Sequence, residues 1–179
     1  MPGIQEAIDD FLRQRRIAIV GVSRDRTKTA NFIYRTLREL GYEMRAVNPN
    51  APELEGDPCY SDLASIPGGV DAVVIVTRPD VTDRVVRECV DLGIRRVWMH
   101  RSFGRGSVSD EAVRFCKNEN IEVIPGGCPM MFREGADLGH KCMRFILKLT
   151  GGLFSENGES HRDQAQEAEA GSDSHQATS

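Results

Sequence analysis

The sequence lacks several features that mark whole classes of protein. It has no run of 18 or more apolar residues, the length that a membrane-spanning helix needs. Its N-terminus, MPGIQEAIDDFLRQRR, has no apolar stretch and carries acids early, so we expect no signal peptide. The five cysteines include no C-x-x-C pair, which argues against a zinc site or a disulfide framework. Together these absences predict a cytoplasmic protein with reduced thiols and no membrane partner.

A concentration of basic charge is also missing. Residues 151–179 hold six acids and one arginine, so the formal charge of −4 for the whole chain leaves a net +1 on residues 1–150. No basic stripe interleaved with aromatic residues is present, and we therefore expect no nucleic-acid partner. The polar composition from Gly151 onward predicts a disordered acidic tail over 151–179 behind a single domain over 1–150.

What is present is a regular alternation of short apolar runs and amphipathic segments. This alternation predicts an α/β fold, with a Rossmann-like, doubly wound, parallel sheet. We predict five strands in the order 3-2-1-4-5, and a last helix over 131–150. The predicted strands cover 16–21, 43–48, 71–77, 95–100 and 121–125.

The stretch IAIVGVSRDRTKTANFIYRTL, residues 17–37, has the form of a strand, a tight turn and a helix. A turn of this kind places backbone N–H groups at a helix start, where they attract phosphate. The turn contains one glycine, Gly21, with the hydroxyl of Ser23 and the cations Arg24, Arg26 and Lys28. From this turn alone, a phosphate site and an ordinary solvated loop remain equally open.

A dinucleotide such as NAD is the first ligand to consider on this fold. Its fingerprint requires G-x-G-x-x-G and an acid near the end of the second strand. Here Ser23 and Arg26 stand at the later glycine positions, and Asn48 and Pro49 stand where the acid belongs. Both parts of the fingerprint are missing, so an NAD(P)-binding oxidoreductase or redox sensor is the weaker alternative.

Several short motifs in a fixed order carry a more specific signal. IAIVGVSRD, AVNPN, VVIVTRPD and GGCP follow one another between Arg16 and Phe132. In this combination the chain resembles the CoA-binding domain family, small proteins related to the N-terminal domain of succinyl-CoA ligase alpha subunits. The resemblance implies a coenzyme A site across the carboxyl ends of the strands.

The resemblance also implies roles for individual residues. It implies that the ADP moiety is bound by Gly21, Val22, Ser23 and Arg24, and that a phosphate lies near Lys28. It also implies that the adenosine side is lined by Asn48 and Pro49, and that the nucleotide or the pantetheine arm contacts Thr77, Arg78 and Pro79. Charge-assisted contacts from arginine and lysine suit a ligand that carries a diphosphate and a 3′-phosphate.

Two residues near the last strands are open to more than one interpretation. Cys128, in GGCPMM, is either a thiol that meets the sulfur end of coenzyme A or a buried structural cysteine, which is the commoner case. For His100, a hydrogen-bonded structural role is favoured over a catalytic one. The loops provide no complete set of nucleophile, base and oxyanion donors. The prediction is therefore a stand-alone protein that binds coenzyme A or acyl-CoA without demonstrated catalysis, the third alternative being an interaction protein with a degenerate pocket.

Overall fold

The computed structural model describes residues 3–102 and 106–132. Within these ranges the chain forms four α-helices and seven β-strands. The helices are α1 (Ile4–Leu12), α2 (Thr29–Glu39), α3 (Pro79–Asp91) and α4 (Asp110–Asn118). The strands are β1 (Arg16–Val20), β2 (Glu43–Val47), β3 (Glu53–Leu54), β4 (Asp57–Tyr60), β5 (Ala72–Ile75), β6 (Arg96–Met99) and β7 (Glu122–Pro125).

All seven strands join one sheet in the order β3-β4-β2-β1-β5-β6-β7. Every neighbouring pair is parallel except β3 with β4. The predicted α/β class and Rossmann-like sheet are confirmed. The predicted count of five strands and the predicted order 3-2-1-4-5 are wrong. β4 lies beside β2, at the place predicted for the third strand, and the segment predicted as the third strand is β5, which lies on the other side of β1. When the six parallel strands (all except β3) are numbered along the chain, their order is 3-2-1-4-5-6, which is typical of dinucleotide-binding folds.

Two of the seven strands were not predicted, β3 and β4, and the one that changes the topology is β4, DPCY, residues 57–60. It contains Pro58, it is only partly buried, and only about ten residues separate it from β2 with no helix between them. A proline in a short, half-exposed run argues against a strand unless the run lies near a sheet edge. Here β3 covers the outer side of β4 through a tight turn at Glu55 and Gly56, both with positive φ, as two-residue hairpin turns require.

Helices cover both faces of the sheet. Alternate residues of β1 point to opposite sides: Ile17 and Ile19 belong to one buried cluster, and Ala18 and Val20 to the other. The first cluster includes α1 and α2, with Phe11, Tyr34, Leu37 and Trp98 fully buried, whereas the second includes α3 and α4, with Val86, Cys89 and Cys116. This two-sided burial is the reason that β5 is continuously apolar and that β1 is apolar from Ile17 onward.

The helix boundaries coincide with local sequence signals. Pro79 is the first residue of α3, where its missing N–H costs nothing. The hydroxyl of Ser109 accepts the N–H of Ala112 and caps α4. The helix predicted over 131–150 and the tail predicted over 151–179 lie outside the described residues, apart from 131 and 132. No helix in 3–102 or 106–132 is long and apolar enough to cross a membrane.

Candidate functional site

The loops that the sequence pointed to meet at one edge of the sheet. β1 lies between β2 and β5, so the segments that follow these three strands emerge side by side at their carboxyl ends. This is also the point where the strand order reverses, which is the usual ligand site of an open α/β sheet. Of the predicted site residues, ten lie on these three loops, and only Cys128 follows a more distant strand, β7.

Gly21 begins the β1–α2 loop, residues 21–28, in a conformation that only glycine adopts without strain. Its φ is +107°, and its N–H donates to the carbonyl of Val47 at 3.1 Å. A Cβ built at this position would lie 2.2 Å from the carbonyl oxygen of Val76. Gly21 therefore lets the β1–α2 loop pass directly against the end of β5.

The rest of the β1–α2 loop is anchored on the segment after β2. The buried Val22 accepts a hydrogen bond from Asn48 Nδ2 at 2.6 Å through its carbonyl. Arg24 donates from its guanidinium to the carbonyl of Asn50. These contacts bring Val22, Ser23 and Arg24 beside Asn48.

Three cations project into solvent around this edge. Lys28 pairs with Asp25 at 3.3 Å and Arg78 pairs with Asp80 at 3.1 Å, and their side chains are 64% and 81% exposed. Among the described residues, no carboxylate lies within ion-pair distance of Arg24. Weak pairs of this kind leave the cations available to an anionic ligand.

An open cavity of about 590 Å³ lies at the carboxyl ends of β2 and β4. Asn48 and Pro49, the residues assigned to the adenosine side, form part of its wall. The missed strand β4 provides the other wall with Cys59 and Tyr60. Burial raises the pKa of the half-buried Cys59 thiol, and backbone hydrogen bonds at Asn48 and Tyr60 only partly offset this rise.

The loop after β5 is held from its other side. The N–H of Thr77 donates to Ser107 Oγ at 2.9 Å, and Thr82 Oγ1 donates to the carbonyl of Ser107 at 2.8 Å. Arg78 is the residue before α3, with extended backbone, so the N-terminus of α3 and its positive dipole face the site edge. Thr77, Arg78 and Pro79 thus lie on a segment fixed between β1 and the loop after β6.

His100 and Cys128 both lie in buried surroundings near the ends of β6 and β7. His100 Nε2 is 3.1 Å from Ser102 Oγ, and burial lowers the pKa of the imidazole to about 4. Cys128 is only 4% exposed, and burial raises the pKa of its thiol to about 11, a shift that a backbone hydrogen bond at Met130 reduces. Both environments suit structural residues, since reactive thiols have lowered pKa values. A contact between Cys128 and the thiol end of coenzyme A stays a prediction.

We expect Cys128 to resist modification in the folded protein. Incubation with CoA disulfide should leave its thiol unmodified, because a buried thiol with a raised pKa forms little thiolate at neutral pH. Intact-mass analysis measures the adduct, with Cys128→Ser and Cys59→Ser as matched variants. An adduct that is lost in Cys128→Ser and retained in Cys59→Ser would contradict this expectation.

Sequence reasoning missed two residues that hold the β1–α2 loop. Asn31 is fully buried in α2 and contacts Ser23, and Glu55, in the turn between β3 and β4, contacts Asn31. Asn31 had a usable signal, because it is a polar residue beside Ala30 on the apolar face of an amphipathic helix. Glu55 had none, because it lies in a segment that the sequence pattern assigns to a loop.

The described residues hold no group of three or more potential metal ligands. The groups at the site edge are backbone N–H groups, amides, hydroxyls and cations.

Comparison with known proteins gives consistent relatives. The chain is 28% identical to the uncharacterized protein YneT of Bacillus subtilis (strain 168), over 71% of this chain and 91% of that protein. It is 30% identical to the alpha subunit of ADP-forming acetate–CoA ligase II of Pyrococcus furiosus, over 84% of this chain but 35% of that subunit. A solved structure of a hypothetical protein from Pyrococcus horikoshii OT3 superposes with a TM-score of 0.66 at 25% identity, covering 72% of this chain and 88% of that one. The family described as CoA binding domain matches residues 15–134, which include all the strands of the sheet and every predicted site residue. The chain therefore belongs to the CoA binding domain family.

Proposed function

We propose that this protein binds coenzyme A or an acyl-CoA at the carboxyl ends of β1, β2 and β5. The observation that carries the proposal is the β1–α2 loop of a chain in this family: one glycine pressed against β5, followed by cations at a helix start. The proposed contacts are those named from the sequence: Gly21, Val22, Ser23, Arg24, Lys28, Asn48, Pro49, Thr77, Arg78, Pro79 and Cys128.

The chemistry of coenzyme A matches this edge. The ligand carries a diphosphate and a 3′-phosphate, and Arg24, Lys28 and Arg78 surround the loops with exposed positive charge. The N-termini of α2 and α3 add backbone N–H groups at the same edge. The cavity beside Asn48 is of a size that accepts a nucleoside. The cavity lies next to the β1–α2 loop, which supports a pose with adenosine in the cavity and the diphosphate over that loop.

Asn48 supports coenzyme A over NAD. In NAD-binding folds an acid near the end of the second strand accepts the ribose hydroxyls. Here the residue after β2 is Asn48, whose side chain donates to the carbonyl of Val22 and accepts the N–H of Asn50 at 2.8 Å. The side-chain amide of Asn48 thus uses both of its polar atoms to join the β1–α2 loop to the segment after β2.

We propose binding without catalysis by this chain. Relatives such as the Pyrococcus furiosus subunit are named as acetate–CoA ligases, but the chain spans 35% of that subunit. In the described ranges we find no nucleophile with both a base and oxyanion donors at the site edge. We expect the protein to act in the cytoplasm, where its four described cysteines stay reduced.

Mass spectrometry of ligand released from the purified protein tests this proposal. We expect CoA-derived species to copurify in substoichiometric amounts. Release of nicotinamide nucleotides instead would contradict the proposal and favour the oxidoreductase alternative, whereas consistently empty protein that takes up no added coenzyme A would favour the interaction protein.

A further inference from the structure

Asn31 is a buried polar residue whose side chain contacts the backbone of the β1–α2 loop. It lies in the first turn of α2 and has no exposed surface. Its Oδ1 accepts the N–H of Ser23 at 2.9 Å, and its Nδ2 donates to the carbonyl of Ser23 at 2.7 Å. The same nitrogen donates to Glu55 Oε1 at 2.7 Å. One carboxamide thus fixes both peptide groups of a predicted phosphate contact.

Glu55 holds the loop at a second point. Its side chain is fully buried and accepts from Asn31, from Arg35 at 2.8 Å and from Arg26 at 3.1 Å. Burial alone would raise the pKa of this carboxyl, but hydrogen bonds from Asn31 and Arg26 and the charges of Arg35 and Arg26 outweigh it and lower the pKa. Glu55 is therefore ionised at neutral pH. Arg26 belongs to the β1–α2 loop, so the carboxylate joins that loop, α2 and the β3–β4 turn.

This arrangement has free-energy costs that attachment of the β3–β4 hairpin to α2 does not require. Glu55 has a φ of +55°, a strained value for a residue with a side chain, and it buries a charge. A second ion pair, Arg38 with Asp57 at 2.5 Å, already joins α2 to the same hairpin. That pair makes no contact with the β1–α2 loop, although Arg38 also donates to the carbonyl of Glu55 at 2.9 Å. The Asn31–Glu55 contact differs because it also holds the conformation of the β1–α2 loop.

We propose that Asn31 and Glu55 are positioning residues for the ligand: they hold Ser23 and Arg26 so that the β1–α2 loop has its binding conformation before coenzyme A arrives. The inference rests on the proposed function. A loop ordered in advance loses less conformational entropy on binding, which raises affinity without a direct contact. Arg26 pairs with the buried carboxylate of Glu55, whereas Lys28 pairs with the exposed Asp25. Arg24 and Lys28 are therefore the loop cations that the phosphates can reach.

The test compares Asn31→Ala and Glu55→Gln with Asp57→Asn, a matched carboxylate-to-amide control in the same hairpin. This control weakens the Arg38–Asp57 pair but keeps Arg38, whose guanidinium also donates to the carbonyl of Glu55. In calorimetric titrations with coenzyme A, we expect the first two variants to bind about tenfold more weakly, as loss of one hydrogen bond to a positioned group predicts. Asp57→Asn should bind within about twofold of wild type. In the ligand-free protein, amide hydrogen exchange over 22–28 should be faster in the first two variants and unchanged in the control.

The outcomes separate this inference from the proposed function. Should Asn31→Ala fail to fold, Glu55→Gln carries the test, because glutamine keeps the size of the side chain and an acceptor for Asn31. If wild type binds coenzyme A and both variants bind equally well, the inference is overturned and the function stands. An equal loss in Asp57→Asn also overturns it, since the effect would then be one of hairpin attachment. Wild type that does not bind coenzyme A overturns both.

Discussion

Gly21→Ala should abolish measurable coenzyme A binding and strongly destabilise the fold. The added Cβ would lie 2.2 Å from the carbonyl oxygen of Val76, and the backbone there has a φ of +107°. The clash involves main chain, so either the β1–α2 loop or the end of β5 must move. Strain and overpacking together cost about 2–6 kcal/mol in the free energy of unfolding. Chemical denaturation measures the stability, and titration with coenzyme A measures the binding.

Gly41→Ala is the matched control. Gly41 also has a positive φ, +90°, but a Cβ there meets no atom within 4 Å. It lies after the end of α2, away from the carboxyl edge of the sheet. We expect the strain cost alone, about 1–3 kcal/mol, and unchanged affinity in the folded protein. If Gly21→Ala were no worse than Gly41→Ala in either measurement, the close approach of the β1–α2 loop to β5 would be wrong.

Arg24→Ala should weaken coenzyme A binding by roughly ten- to a hundredfold. A charge-assisted hydrogen bond contributes on the order of 1.5–3 kcal/mol, which corresponds to that range of affinity. Lys28→Ala and Arg78→Ala should also weaken binding, but by less. Each of these cations has a neighbouring carboxylate, Asp25 or Asp80, with which the ligand must compete. An exposed pair of this kind is worth about 0.2–1 kcal/mol.

Dephospho-CoA and Arg13→Ala make this result interpretable. The ligand without the 3′-phosphate should show a smaller loss for whichever cation contacts that phosphate. Arg13 follows α1 and precedes β1, so it lies at the amino ends of the strands, and it is 68% exposed. Its removal changes net charge equally and should leave affinity unchanged. If all three loop variants bind like wild type, or if Arg13→Ala matches them, the phosphates do not lie on these loops.

The sequence was a good guide to the sheet wherever a strand is buried on both faces. Each of the five predicted strands exists within two residues of its predicted bounds, because short uninterrupted apolar runs between amphipathic helices are typical of buried parallel strands. β4 was missed because Pro58 and partial exposure remove that signal. The omission of β4 made the predicted topology wrong, because β5 was predicted at the place beside β2 that β4 occupies, and β6 and β7 were each predicted one place too close to β1.

The site divides in the same way. Residues proposed to contact the ligand, such as Gly21 and Asn48, follow the strands, and a rule about carboxyl ends finds them from sequence. Asn31 and Glu55 act through contacts between segments 24 positions apart. No local pattern encodes such a contact, because it depends on the β3–β4 turn folding back onto α2. Cys59 is similar, since it became a cavity residue only once β4 was known.

Calorimetric titration of wild-type protein with coenzyme A and, separately, with NAD decides between the two ligands. We expect saturable binding of coenzyme A with a Kd on the order of micromolar, about −8 kcal/mol, and no detectable heat of binding for NAD. The prediction follows from the cationic loop with a single glycine and from Asn48 at the end of β2. Binding of NAD as tight as or tighter than that of coenzyme A would contradict it.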